Sequence, residues 1–205
     1  MKITYLLIGI NIILSIYAWS NPAVFSKWTM NPYLIRTKNQ YYRFITSGFI
    51  HGSYMHLFFN MLTLYFFGER IEHNFTFIFE KMAPIMYLAL YVSAIIVSDL
   101  PTFFKRRNDS YYNSVGASGA ISAVVFASIL FMPLNKLCLY AIICIPGFIF
   151  GILYLIYSYY EARRDSQINH DAHLYGALFG IIFCIIVYPH SISIFIEQIR
   201  AWRFF

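Results

Sequence analysis

Six stretches of this chain are apolar for close to the ~17–25 residues that a helix needs to cross the hydrocarbon core of a bilayer. They run near residues 3–19, 53–68, 82–100, 115–132, 137–160 and 172–189. Water does not reach backbone groups at that depth, so each stretch must pair its own N–H and C=O groups, and helices do this within one segment. The expected fold class is therefore all-α: a polytopic membrane protein with one six-helix domain over residues 1–205. Composition agrees, since 12% of residues are charged and 60% hydrophobic. A soluble domain carries about a quarter charged residues.

The remaining segments fit the same plan. The N-terminal "MKITYLLIGINIILSIYAWS" has the look of a signal peptide, but Trp19 between Ala18 and Ser20 makes a poor cleavage site, and it reads as the first span. Residues 20–50 hold two Asn-Pro turn signals, Trp28 and several tyrosines, which suits a loop resting in the membrane interface. Pro133 to Lys136 make a short turn between the fourth and fifth spans, and Pro146-Gly147 is expected to kink the fifth. The tail repeats apolar residues at Ile192, Phe195, Ile196, Ile199 and Trp202, as an interfacial helix or the end of the last span does. Cys138, Cys144 and Cys184 lie in apolar segments without CxxC or CxxH spacing and read as small hydrophobes. The net charge of +6 falls in clusters such as Lys105–Arg107 and Arg163–Arg164, beside apolar runs. That pattern indicates lipid headgroups rather than nucleic acid.

Helix order yields the strongest functional inference. In an antiparallel run of six spans, the second, fourth and sixth begin on the same face. His51 and His56 stand at the start of the second, Ser118 near the start of the fourth and His173 near the start of the sixth. His56 and Asn60, four residues apart, project from one helix face. His51 faces elsewhere or lies in the loop. Polar groups inside a membrane are costly and mark function by default, although a cluster that only pins helices together remains the plain alternative for Asn60.

A serine hydroxyl becomes a competent nucleophile when a base takes its proton, and histidine is the usual base near neutral pH. Backbone N–H groups at a helix start, with Asn and His side chains, supply donors for an oxyanion. Ser118, His173, His56 and Asn60 fill these roles without a metal. Asp171, two residues before His173, points away from it on a helix, so a Ser-His dyad is preferred to a triad. Ala172, Gly176 and Gly180 on the sixth span, and Gly116, Gly119 or Ala120, Ala123 and Ala127 on the fourth, form small-xxx-small stripes expected to let the two helices approach.

The motifs "HGSYMHLFFN" (His51, His56, Asn60), "GERIE" (Gly68 to Glu72), "GASGA" (Gly116 to Ala120) and "AHLYGALFG" (Ala172 to Gly180) occur in this order on spans two, four and six. Together they resemble the rhomboid intramembrane serine proteases over nearly the whole chain. The resemblance implies a rhomboid-like bundle that cleaves transmembrane protein substrates in the lipid bilayer, with no metal and no cofactor. Carried over by position, Ser118 resembles the nucleophile and His173 the general base. His56, Asn60 and the Ser118 N–H resemble the oxyanion site. His51, Gly116, Gly119, Gly176, Gly180 and Glu72 are structural support, Glu72 as a carboxylate that ties helix ends. The fifth helix resembles a gate for substrate and water.

The chain departs from the family pattern at Ser122, where many members carry an aromatic that packs on the catalytic histidine; Tyr175 or Phe126 is the expected substitute. Tyr42-Arg43 stands for the usual Trp-Arg, and Thr76 for a glycine. The family orientation puts both termini in the cytoplasm of a bacterial plasma membrane, with the site on the outer face. Lys27, Arg36, Lys38, Arg43, Lys105–Arg107, Arg163 and Arg164 then fall outside, against the usual excess of cations inside.

The main rival is a catalytically inactive rhomboid-like factor that binds or escorts membrane proteins. A metal enzyme using His51, His56 and His173 lacks HExxH spacing. A transporter would group its polar residues at the midplane. The hydrolase elbow G-x-S-x-G fails at Ala120.

Overall fold

A computed structural model gives the structure of residues 2–139, 143–164 and 168–203. In chain order the elements are α1 (Ile3–Ser20), α2 (Pro22–Trp28), α3 (Pro32–Lys38), α4 (Arg43–Thr46), α5 (Tyr54–Phe79), α6 (Ala83–Arg106), α7 (Ser118–Phe131), β1 (Lys136–Leu139), β2 (Ile143–Pro146), α8 (Gly147–Glu161), α9 (His170–Val187) and α10 (Ser191–Ala201). The fold is an all-α membrane bundle in which α1, α5, α6, α7, α8 and α9 take the places of the six expected spans. α1, the α5–α6 stretch and α9 are long and apolar enough to cross a membrane.

α7 is the hub. All its residues from Gly119 to Phe131 are buried, against α5, α6, α8, α9 and α10. A helix apolar all round belongs in such a position, because it has no face to give to water or lipid. With 14 residues it is about 21 Å long. That is roughly 9 Å less than the hydrocarbon core, so one of its ends must lie below the membrane surface.

The two Asn-Pro pairs do more than turn the chain. Asn21 and Asn31 cap α2 and α3, accepting from Val24 N at 3.2 Å and Leu34 N at 2.8 Å, with proline in the first turn of each helix. The interface segment is thus a set of short helices, fixed to the loop before α7 by paired backbone bonds between Met30 and Ser114. Arg43 is buried and ties the segment internally, donating to the carbonyls of Ser26 and Thr29.

At the other end of the bundle, Glu72 of α5 accepts from Ile3 N at 2.6 Å, Thr4 N at 3.1 Å and Thr4 Oγ1 at 2.7 Å. It satisfies donors that the first turn of α1 leaves free. α5 runs well past the expected residue 68, because the turn holding Glu69 and Arg70 continues the helix, and Glu69 meets Lys2 and Tyr5 there.

The fifth span differs from expectation. Instead of a kinked helix over 137–160, an antiparallel hairpin of β1 and β2 precedes a 15-residue α8; residues 140–142 lie outside the described residues. Pro146 caps α8 rather than bending it, since its missing N–H would interrupt a helix running through. The cysteines are also corrected in part. Cys144 is disulfide-bonded, and the hairpin register sets Cys138 opposite it, while Cys184 is free and buried.

Candidate active site

Ser118 is the first residue of α7, not one turn inside it as the apolar run suggested. The first α7 N–H bonded within the helix is that of Ile121, to Ala117 O, so the amides of Ser118 and Gly119 belong to the donors every helix start leaves free. Gly116, with φ of +127°, makes the turn into α7, a conformation that favours glycine. A Cβ there would also stand 2.5 Å from His56 Cε1, so the missing side chain is what seats the His56 ring over this turn.

His173 lies in the first turns of α9, whose start is built by Asn169. The Asn169 Oδ1 accepts from Ala172 N at 3.1 Å and from Thr102 Oγ1 at 2.8 Å, and its Nδ2 donates to Asp99 Oδ1 at 3.2 Å. This cap locks the beginning of α9 to α6. Asp171 turns aside to pair with Lys105 at 3.0 Å. The approach of α9 to α7 is backbone to backbone: a Cβ on Gly176 would overlap Gly119 O, and one on Gly180 would overlap Ala123 O.

Ser118, His173 and Asn60 line two adjoining cavities. One, of about 510 Å³, also touches His56, Met55 and Phe59. The other, of about 240 Å³, continues past Ser122, Tyr154 and Phe67. A third, polar cavity of about 20 Å³ borders Ser118 beside Ser98, Asp99 and Asn169; it is the size of a single water. Of the residues singled out from the sequence, His56, Asn60, Ser118 and His173 are thus brought to one cavity, whereas Glu72 lies at the other end of the bundle. Asn169 and Asp99, absent from that reading, join them through capping contacts that span some seventy residues of sequence.

Asn60 is buried, yet its Nδ2 has no hydrogen-bond partner among the described residues. Leaving such a donor unpaired costs about 1–3 kcal/mol, a condition that Asn60 shares with other buried polar atoms such as Asn74 Nδ2 and Ser158 Oγ, but Asn60 also lines both cavities that Ser118 and His173 line. His51 lies in the loop before α5 and does face His56: the ring centroids are 5.1 Å apart in an edge contact. Its Nδ1 is 3.0 Å from Ser15 Oγ and its carbonyl accepts from Trp19 Nε1. Burial, reinforced by the neighbouring His56, pushes the His51 imidazole down to about 3, so it packs as a neutral ring.

The aromatic partner of His173 is neither of those expected. Tyr175 is 42% exposed and points outward. Phe126 instead packs on Tyr154. Tyr154, from α8, stacks on His173 with ring centroids 6.4 Å apart and planes inclined by 22°. Nothing in the local sequence of α8 marks Tyr154 among its many tyrosines. Among the described residues, no group of three or more His, Cys, Asp or Glu side chains is arranged to hold a metal ion.

The rhomboid domain family model matches residues 38–190. The human presenilin-associated rhomboid-like protein, mitochondrial, is 31% identical over 183 residues, an alignment covering 86% of this chain and 42% of the human protein. Its rat counterpart is 30% identical over 191 residues, covering 84% and 47%. RHOMBOID-like protein 12, mitochondrial, of Arabidopsis thaliana is 29% identical over 190 residues, covering 80% and 54%. The chain therefore spans about half the length of these curated relatives.

Proposed function

Because the chain belongs to the rhomboid family, we propose that it is an intramembrane serine endopeptidase that cuts other membrane proteins within or beside their transmembrane segments. Ser118 Oγ attacks the scissile carbonyl carbon while His173 takes the hydroxyl proton. The carbonyl oxygen, now negative, accepts hydrogen bonds from Asn60 Nδ2, His56 and the Ser118 N–H. As the tetrahedral intermediate collapses, the C–N bond breaks and His173 returns the proton to the departing amine. Water then attacks the acyl-enzyme with His173 again as base, releasing the second product and restoring Ser118.

The observation that carries this reading is the buried Asn60, whose Nδ2 has no hydrogen-bond partner among the described residues, in a wall shared with Ser118 and His173. A donor held ready for a charge that appears only in the transition state is what acyl transfer requires. The short α7 is in keeping with it: we place the Ser118 end of that helix below the membrane surface, where a cavity brings water to the depth of substrate helices. The 240 Å³ cavity past Ser118 gives room for one substrate side chain.

The protein is a membrane protein. The similar proteins are mitochondrial by name, whereas the family orientation suggested a bacterial plasma membrane. The orientation we propose places both termini on one side, the cytoplasmic side in a bacterium, and the site on the opposite face. Purified protein mixed in proteoliposomes with a single-span membrane protein bearing small residues near its outer end tests the activity. One new terminus in or beside the span, absent with Ser118→Ala, is expected. Intact substrate that stays bound to the wild-type protein would favour an escort factor instead.

A further inference from the structure

His173 is steadied from α8, not from the helix that carries Ser118. Tyr154 lies over its ring, and the Tyr154 hydroxyl is fixed by Ser122 Oγ at 2.7 Å. Ser122 is buried on α7, one turn beyond Ser118. Phe126 and Phe150 flank the Tyr154 ring, with centroids 5.5 Å and 5.9 Å away. His170 meets the His173 ring edge-on from α9 at 5.6 Å.

Resting on the reading of Ser118 and His173 as the dyad, we propose that Tyr154 is a positioning residue that aligns the His173 ring, and that this alignment depends on α8 being seated against α7. A histidine side chain on a helix is free to rotate about two bonds, and a stacked ring removes part of that freedom. The stacked ring helps only if it is itself fixed, which is what the Ser122 bond and the two phenylalanines do. Ser122 thus has a purpose of its own: an aromatic there would occupy the place Tyr154 takes, whereas a serine anchors it. Nucleophile and base sit on α7 and α9, which are locked by glycine contacts. The group that aligns the base sits on a third helix.

The test follows the rate at which a small fluorophosphonate labels purified protein, alongside kcat and KM for a transmembrane substrate. Tyr154→Leu is expected to label about 10- to 100-fold more slowly, since misplacing a catalytic group by about 1 Å can cost 10²-fold. Tyr154 also lines the cavity offered to a substrate side chain, so KM for the transmembrane substrate can shift with it, and the labelling rate of the small probe is the readout that isolates alignment of His173. Tyr154→Phe and Ser122→Ala each keep the ring and lose the bond between them, so both should fall between Tyr154→Leu and wild type. Should Tyr154→Leu fail to fold, Tyr154→Met takes its place, because methionine fills gaps without a ring. Folded Tyr154→Leu or Tyr154→Met labelling at the wild-type rate, with Ser118→Ala unlabelled, overturns the positioning role and leaves the dyad standing. Labelling that persists in Ser118→Ala removes the dyad, and the inference with it.

Discussion

Gly176 of α9 rests on the backbone of Gly119 of α7, with no space between them for even a methyl group. The same contact recurs one turn on, between Gly180 and Ala123. Gly176→Ala must push the two helices apart, and overpacking of this kind costs about 1–3 kcal/mol. The displacement also separates His173 from Ser118. Substrate cleavage should fall at least about tenfold, with a lower thermal midpoint in detergent. Gly9→Ala, inside α1, adds its methyl where nothing lies within 4 Å, so cleavage should not change and the midpoint should hold or rise, alanine being the better helix former.

Asn60 sets stability against function. Asn60→Leu removes a buried donor that has no partner among the described residues, so the folded state should be as stable as wild type or more so. Catalysis should move the other way, by roughly 10- to 100-fold in kcat, with residual activity from the remaining donors. Thermal unfolding and cleavage rates on the same preparations check this. Full activity in Asn60→Leu would remove Asn60 from the oxyanion site.

His51 makes the protein sensitive to acid. Its imidazole is depressed to about 3 by burial, with His56 adding to the effect. Between the ordinary histidine value of about 6.5 and that level, the unfolded chain binds a proton that the folded chain refuses. Stability therefore falls as pH drops through this window, by at most about 1.4 kcal/mol per pH unit. Thermal midpoints of wild type and His51→Gln between pH 7 and 5 should converge on the acid side, because glutamine has no proton to gain. Parallel curves would contradict the neutral buried ring.

Glu72 joins α5 to the start of α1 through three hydrogen bonds. Bonds to a charged acceptor are worth about 1.5–3 kcal/mol each, so Glu72→Ala should lower stability by roughly 2 kcal/mol or more. It is remote from Ser118, at the other end of α5, and kcat below the unfolding range should stay near wild type. A selective loss of kcat in a stable Glu72→Ala protein would give Glu72 a different role.

What was legible in the sequence follows physical rules of long reach. Apolar length fixed the helices, and the alternation of spans put Ser118, His56 and His173 on one face whatever their contacts. The glycine stripes foretold the α7–α9 approach because only small residues permit it. The misses depend on three-dimensional neighbours. Tyr154 is one of many aromatics on α8, and its identity as the partner of His173 comes from the rotation of that helix, which composition does not encode. Asp99 reads as the charged end of a span until Asn169 is seen beside it. The pairing of Lys136–Leu139 with Ile143–Pro146 was hidden because these short apolar stretches, which suit a strand as well as a helix, run on into the apolar α8.

The most direct measurement is covalent labelling of the purified protein with a fluorophosphonate, located by peptide mass analysis, in wild type, Ser118→Ala and His173→Ala and with EDTA present. The adduct is expected on Ser118 alone, absent from both variants and unaffected by the chelator. An adduct on another residue, or undiminished labelling of Ser118→Ala, would contradict a Ser118–His173 dyad.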